Sequence, residues 1–441
     1  MMVRIVVALA VSLAAACGAG VAQVPADPAL AGRLAAHVRF LSSPELAGRE
    51  AGSEGERLAA EHIADAFGTI GLDPFPSLWA GREVDARLTS YVQPFPVFPG
   101  GEPAPCAEGP GPEPRSPASF ARNVLGIVDG DRQGRTLVIG AHYDHLGTKE
   151  GIVCPGADDN ASGVALLIEL ARVYAADNPH DGPVIFVAFT GEEIGLLGSR
   201  AYVCDPPCPL EKTAAMVNID MVGRLRGKPL LVAVEGLTDS ARASFLRAAG
   251  SEDLALAEMR SGYEAGDLAP FAAAGVPSLM LFTGPHADYH RPTDTEEKID
   301  YEGLARVVLF AARAAPLFAR FAEDGFHGGA LPLAAPSSPA EERPFLGTVP
   351  DFTALGGDGV LIAEVVPGSP AEKAGILPGD RVVGLGNMPV KDLRGYADAL
   401  RARKPGDVVS VELLRGMQAV GVEAVLVKKP EGSGGGHPGG P

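Results

Sequence analysis

At 441 residues, with 46 % hydrophobic side chains and Lys+Arg 37 against Asp+Glu 55, the chain is long enough for about two globular domains and carries a net charge of −18. That balance excludes nucleic acid as a partner, because a phosphate backbone needs a basic footprint. Acidic clusters remain suited to cations, so peptides and metal ions are the partners this chain fits.

Residues 1–22 read as a secretory signal peptide: one Arg near the start, an apolar stretch from Ile5 to Ala16, then small residues. The apolar stretch is shorter than the roughly 20 residues a membrane span needs. Cys17 follows "LAAA", a sequence that resembles a bacterial lipoprotein processing site, so lipidation at Cys17 is the one membrane attachment the chain suggests. Either route places the protein outside the cytoplasm, periplasmic or secreted. There an oxidising compartment favours disulfides among Cys106, Cys154, Cys204 and Cys208. Four cysteines allow three pairings; the short "CDPPC" loop favours Cys204 with Cys208, leaving Cys106 for Cys154.

The segment from Asp27 to Leu72 alternates helical periodicity with a Gly/Ser turn and predicts two helices flanking a loop. Residues 73–119 are rich in Pro and Gly and predict a long irregular excursion. From "NVLGIVDG" onward, short apolar runs alternate with helical patterns: "TLVIGA", the helix "GVALLIELARVYAAD", "PVIFVAFT", "AAMVNIDM" and "PSLMLFTG". Near-continuous apolar strands of this kind predict an α/β body whose mainly parallel sheet is flanked by helices, with ligands beyond the strand C-termini.

The polar clusters follow those strands. After "TLVIGA" come His142, Asp144 and His145; "GADDNASG" supplies Asp158 and Asp159; "VIFVAFT" is followed by Glu192 and Glu193; "MVNID" ends in Asp220; and "PHADYHRPTD" contains His286, Asp288, Tyr289, His290 and Asp294. Singly, an Asp before a helix reads as an N-cap, a lone loop His as a hydrogen-bonded side chain, and a Glu pair as a solvated turn. Jointly, carboxylates and imidazoles gathered at one sheet edge call for a cation.

The ordered motifs "GAHYDHLG", "GADDNASG", "FTGEEIGLLGS", "NIDMVGR" and "DYHRPTDT" resemble those of the two-zinc metallo-aminopeptidases, a family that also holds aminopeptidase Y and glutamate carboxypeptidase relatives. The resemblance runs from about Leu34 to Ala322 and implies a zinc-exopeptidase sandwich of the phosphorylase/hydrolase-like type, spanning residues 24–322. It further implies that His142 and Asp220 bind one zinc ion, that Glu193 and His290 bind a second, and that Asp159 bridges them. Glu192 would be the general base, Asp144 would orient the His142 imidazole, and Tyr289 would hydrogen-bond a developing oxyanion. Asp158, His145 and His286 keep local structural roles. The stretch "AGDLAPF" places Gly266, Asp267 and Leu268 where the family has Ser-Asp-His.

A Pro/Gly/Ser/Ala linker at 323–343 leads to residues 344–428, whose short alternating strands and "SPAEKAGILPGD" turn resemble a bacterial PDZ domain. The resemblance implies that amides around Phe345, Leu346 and Gly347 receive the C-terminus of a peptide or protein ligand. Residues 429–441 read as a disordered tail. The expected activity is therefore a zinc-dependent aminopeptidase acting on peptide substrates. Two alternatives stand beside it: a carboxypeptidase or dipeptidase of the same fold, for which Arg224 and Arg260 are the candidate carboxylate receptors, and a non-catalytic PDZ adaptor.

Overall fold

The structure is a computed structural model describing residues 27–74, 91–97, 119–131, 134–149, 151–250, 253–259, 266–325, 344–351, 359–391, 393–416 and 418–428. The expected signal peptide, Cys17, Cys106, Arg260, the C-terminal tail and most of the irregular excursion and linker lie outside the described residues.

The two N-terminal helices form as their periodicity requires. Helix α1 (Leu30–Leu41) buries Leu30, Leu34, Val38 and Leu41, one apolar stripe. Helix α2 (Glu54–Ile70) begins at Ser53, whose hydroxyl accepts the Glu56 amide, and ends at Gly71 with φ 91°.

Among the described residues, nine strands make the main sheet. They are β1 (Asp73–Pro74), β2 (Val92–Val97), β3 (Ser119–Val128), β4 (Thr136–His142), β5 (Val184–Phe189), β6 (Thr213–Ile219), β7 (Leu230–Glu235), β8 (Leu256–Glu258) and β9 (Ser278–Phe282). Their order is β1-β3-β5-β4-β6-β9-β7-β8, with β2 beside β3. The four central strands β5, β4, β6 and β9 are mutually parallel, so their C-terminal ends share one edge. Antiparallel neighbours bound that block, β3 against β5 and β7 against β9.

Strand alternation explains why both sheet faces are apolar. Leu137, Ile139 and Ala141 of β4 join a core with α1, α2, α3 (Gly163–Ala176), α5 (Asp239–Ala249) and α7 (Tyr301–Gly325). Val138 between them points to the other face, among Tyr202 of α4 (Leu197–Cys204) and Leu268 and Phe271 of α6 (Leu268–Ala273). No helix among the described residues is long and apolar enough to cross a membrane.

Both expected disulfide pairings are overturned: Cys154 and Cys208 are free thiols. Cys204 ends α4 and is disulfide-bonded, while the Cys208 sulfur stands 3.4 Å from Thr136 Oγ1. Closeness in sequence did not pair the two "CDPPC" sulfurs: Cys208 is a free thiol beside Thr136.

The second unit pairs β10 (Pro344–Phe345) with β16 (Val427–Lys428) and builds a sheet in the order β11 (Thr348–Pro350), β12 (Val360–Val365), β13 (Asp380–Leu385), β14 (Val408–Arg415) and β15 (Gln418–Val425). Helix α8 (Pro370–Lys373) starts at Ser369, whose hydroxyl accepts the Glu372 amide, and helix α9 (Leu393–Arg401) follows β13. Tyr396 of α9 shares a hydrogen bond with Thr348 of β11 at 2.5 Å. Phe345 and Leu346 are buried, and Gly347 sits at φ 90° with room for no side chain, since a Cβ there would lie 2.2 Å from Ser369 Cβ.

Candidate metal centre

Each acidic or imidazole side chain of the site stands just beyond one of the four parallel strands, and main-chain bonds extend the sheet ladder to hold it there. Tyr143 donates its amide to the Phe189 carbonyl at 2.8 Å, and Asp220 donates to the Leu281 carbonyl at 3.1 Å. His142 therefore stands at the end of β4 beside Glu192 and Glu193 after β5, and Asp220 at the end of β6 beside the loop after β9.

Asp159 arrives differently, from the tight turn Ala157–Ser162 that opens α3, across a cis peptide to Asn160. Three side chains hold that turn. Asn160 Oδ1 accepts the Gly163 and Met221 amides at 3.0 and 3.1 Å, and its Nδ2 donates to the Ile219 carbonyl at 2.9 Å, tying the turn to the end of β6. Asp158 accepts the Gly223 amide at 2.7 Å and faces His286 Nε2 at 3.1 Å. Asp294 accepts the amides of Asp158 and Asp159 at 2.9 and 3.1 Å on one oxygen and Arg224 at 2.6 Å on the other.

Two groups of donor atoms converge. His142 Nε2 lies 3.3 Å from Asp159 Oδ1 and 3.4 Å from Asp220 Oδ1. Donors about 2.0–2.1 Å from a shared tetrahedral ion would stand about 3.3 Å apart, so this spacing fits a metal. On the other side of Asp159, His290 Nε2 lies 3.1 Å from Asp159 Oδ2 and 2.9 Å from Glu193 Oε2. His145 joins this second group, its Nδ1 2.8 Å from Glu193 Oε1 and 3.7 Å from Asp159 Oδ2. The sequence reading left His145 a local role; the structure brings it in with Asp159 and Glu193. Nothing in the local sequence separates it from an ordinary loop histidine.

Despite these distances, Asp159 Oδ2, Asp220 Oδ1 and His290 Nε2 are buried without a hydrogen-bond partner. Buried polar atoms are normally satisfied, and lone pairs aimed at a common point are satisfied by a cation. The donor set therefore fits two metal ions sharing Asp159. Burial lowers the His290 imidazole, but Glu193 and Asp159 outweigh it and raise it to about 9.

Asp144 does its work through two groups. Its main-chain carbonyl stands 3.2 Å from His142 Nδ1, which fixes that nitrogen as the donor and turns Nε2 toward Asp159 and Asp220. Its buried carboxylate, 3.8 Å from Nδ1, accepts the amides of Glu192 and Glu193 at 3.2 and 3.4 Å. Burial pushes that carboxyl up to about 7. Burial also drives the Glu192 carboxyl well above the ordinary range, with Glu193 and Asp267 reinforcing it against His142. The ring of Tyr289 stacks on His290, centroids 3.8 Å apart.

Arg49 was not singled out in the sequence, and Asp294 and Asp267 were named there without a role. Arg49 is fully buried and donates to the carbonyls of Tyr143 at 2.8 Å, Pro155 at 2.7 Å, Gly156 at 3.0 Å and also Leu41, bracing both the β4 end and the Asp159 turn. Asp294 serves as the cap of that turn. Asp267 lies buried beside the site and accepts the Ser199 hydroxyl.

Residues 123–315 match peptidase family M28, and residues 339–426 match the PDZ domain. The chain is thus similar to M28 peptidases over residues 123–315 and to PDZ domains over its C-terminal part. Leucine aminopeptidase 1 of Arthroderma otae is 31 % identical over 216 residues, which is 44 % of this chain and 57 % of that protein. Aminopeptidase YwaD of Bacillus subtilis is 32 % identical over 199 residues, 42 % of each chain. The chain thus spans about half the length of the curated relatives it matches. Among solved structures, a zinc aminopeptidase from Bacillus subtilis superposes with a TM-score of 0.47 at 21 % identity, covering 64 % of this chain and 94 % of that one. The LapA aminopeptidase of Legionella pneumophila gives 0.48 at 19 % identity, covering 66 % and 72 %.

Proposed function

We propose that this protein is an M28-type aminopeptidase that removes N-terminal residues from peptides outside the cytoplasm, using two zinc ions, and that its PDZ domain binds the C-terminus of a peptide or protein. His142, Asp159 and Asp220 would hold one ion, and Asp159, Glu193 and His290 the other, with His145 against the second group. The carrying observation is the sharing of Asp159 between two groups of donors, each with an imidazole, beside a Glu192 that belongs to neither.

When bound, the ions lower the pKa of a water toward neutrality and polarise the scissile carbonyl. The protein's own groups do the rest. Glu192, adjacent in sequence to the ligand Glu193, takes the proton of the attacking water and passes it to the departing amine. Asp144 holds the amides of both glutamates and so keeps base and ligand in register. Tyr289, stacked on His290, would donate its hydroxyl to the developing oxyanion.

A carboxypeptidase reading needs a cation free to receive a substrate carboxylate. Arg224 is committed elsewhere: it is buried against Asp294 at 2.6 Å and Asp288 at 3.2 Å. The extracytoplasmic setting rests on the N-terminal sequence, and the PDZ ligand on the resemblance of residues 344–428. The test compares unmodified protein, Glu192→Gln and His290→Ala by zinc content and by release of N-terminal residues from a mixed peptide library. Glu192→Gln is expected to keep its zinc and lose roughly 100-fold or more in turnover, the scale of a general base, while His290→Ala loses zinc as well. Equal zinc loss in both variants would contradict the assigned roles, and release of C-terminal residues would select the carboxypeptidase.

A further inference from the structure

The loop that follows β9 carries His290, and His290 itself sits in the left-handed region at φ 58°. For a residue with a side chain that conformation costs about 1–2 kcal/mol, so it must be held by its surroundings. Three consecutive residues just before it are tied down. His286 faces Asp158 at 3.1 Å, and Asp288 receives Arg224 at 3.2 Å together with Lys298. Between them, the Ala287 amide donates to Glu364 Oε2 at 2.7 Å.

The first and third anchors belong to the peptidase domain. Glu364 does not: it lies on β12 of the PDZ sheet, opposite Val349 of β11. The neighbourhood agrees with a built contact. One apolar cluster joins Leu231, Ala233 and Met280 of the main sheet to Leu346, Val360 and Ile362 of the PDZ sheet. Phe282, the last residue before the loop, and Val365, next to Glu364, both pack against that cluster.

We infer that Glu364 is a positioning residue for the metal-binding loop, supplied by the PDZ domain to the peptidase active site. A carboxylate accepting a main-chain amide makes a strong, directional bond, and here it fixes the middle of a segment whose end must present His290 in a strained conformation. The PDZ domain is on this account part of the catalytic architecture. The inference rests on the peptidase reading for its kinetic consequence, and on the loop alone for its structural one.

The test uses the full chain with Glu364→Ala, which removes the acceptor, and Glu364→Gln, which keeps an oxygen in its place. Two quantities are read: amide hydrogen exchange across residues 284–291 in the metal-free protein, and kcat and KM on a small aminoacyl anilide in the zinc-loaded protein. Glu364→Ala is expected to speed exchange in that segment and to lower kcat, each roughly 5- to 10-fold as the loss of one well-made hydrogen bond allows, with KM within about 2-fold and global melting unchanged. Glu364→Gln is expected to stay close to the unmodified protein in both. Unchanged exchange and kcat in Glu364→Ala, or equal impairment in the Gln variant, overturns the assignment. Absence of turnover in the unmodified protein refutes the peptidase reading alone, and the exchange measurement still decides the role of Glu364.

Discussion

Replacing Arg49 by Met tests whether the site is braced from beneath. Arg49 is a fully buried cation whose fork reaches the carbonyls of Leu41, Tyr143, Pro155 and Gly156. It also stands in a run of left-handed residues, Ala47 at φ 46°, Gly48 at φ 78° and Arg49 at φ 51°. Gly48 is required there, because a Cβ would lie 2.4 Å from the Gly147 oxygen. Burial depresses the guanidinium to about 10, with Asp159 and Asp144 opposing, so it stays charged at neutral pH.

Methionine fills much of the volume but leaves the carbonyls without a donor. At about 1 kcal/mol or somewhat more for each orphaned acceptor, the loss is about 4–5 kcal/mol; relief of the buried charge's desolvation returns part of it, for a net of about 2–4 kcal/mol. For a domain of this size that lowers the melting temperature by about 5–10 °C. Lysine keeps the charge but brings its donors to one point, so Arg49→Lys is expected to recover less than half. Urea denaturation of the metal-free protein measures the stability. A loss below about 1 kcal/mol for Arg49→Met, or full recovery by Lys, would refute the reasoning, since then neither the carbonyls nor the fork geometry matters.

Asp294→Asn removes a negative acceptor from the Asp158 and Asp159 amides and from Arg224; zinc affinity is expected to fall about 10- to 100-fold, as for other outer partners of metal ligands, and chelator competition showing unchanged affinity would count against the cap. Glu169 of α3 bonds Arg33 of α1 at 2.8 Å, and although burial works to raise its carboxyl, His37 and Arg33 outweigh that and hold it at about 2. A carboxyl depressed in the folded state stabilises fully above its unfolded pKa of about 4.5 and progressively less down to about 2. Because Arg33 is about a third exposed, the contribution discounts to about 1–2 kcal/mol. Glu169→Gln is therefore expected to flatten the loss of stability between those pH values in urea titrations, and a parallel acid limb in both proteins would remove the pair from the account.

Much of this molecule was readable in one dimension, because the signals are local. Unbroken apolar strands separated by helical patterns dictate a two-faced parallel sheet, and chemistry in such a sheet gathers at strand C-termini. His142 ends its strand, Glu192, Glu193 and Asp220 follow theirs within a few residues, and His290 lies on the loop after β9, so strand order brings their elements to one edge. The "SPAEKAGILPGD" turn and its flanking strands marked the second domain in the same way.

Tertiary structure decided what depends on groups far apart in the chain. Arg49 braces carbonyls more than ninety residues downstream, and no periodicity marks an isolated Arg as buried. His145 resembles any loop histidine until the Glu193 carboxylate meets it. Cys204 and Cys208 invited a pairing by proximity that the fold does not make, and Glu364 touches Ala287 where two domains share an apolar surface. Sequence carries the pattern that places each group on its own element; packing sets which elements face one another, and the bracing of this site comes from those faces.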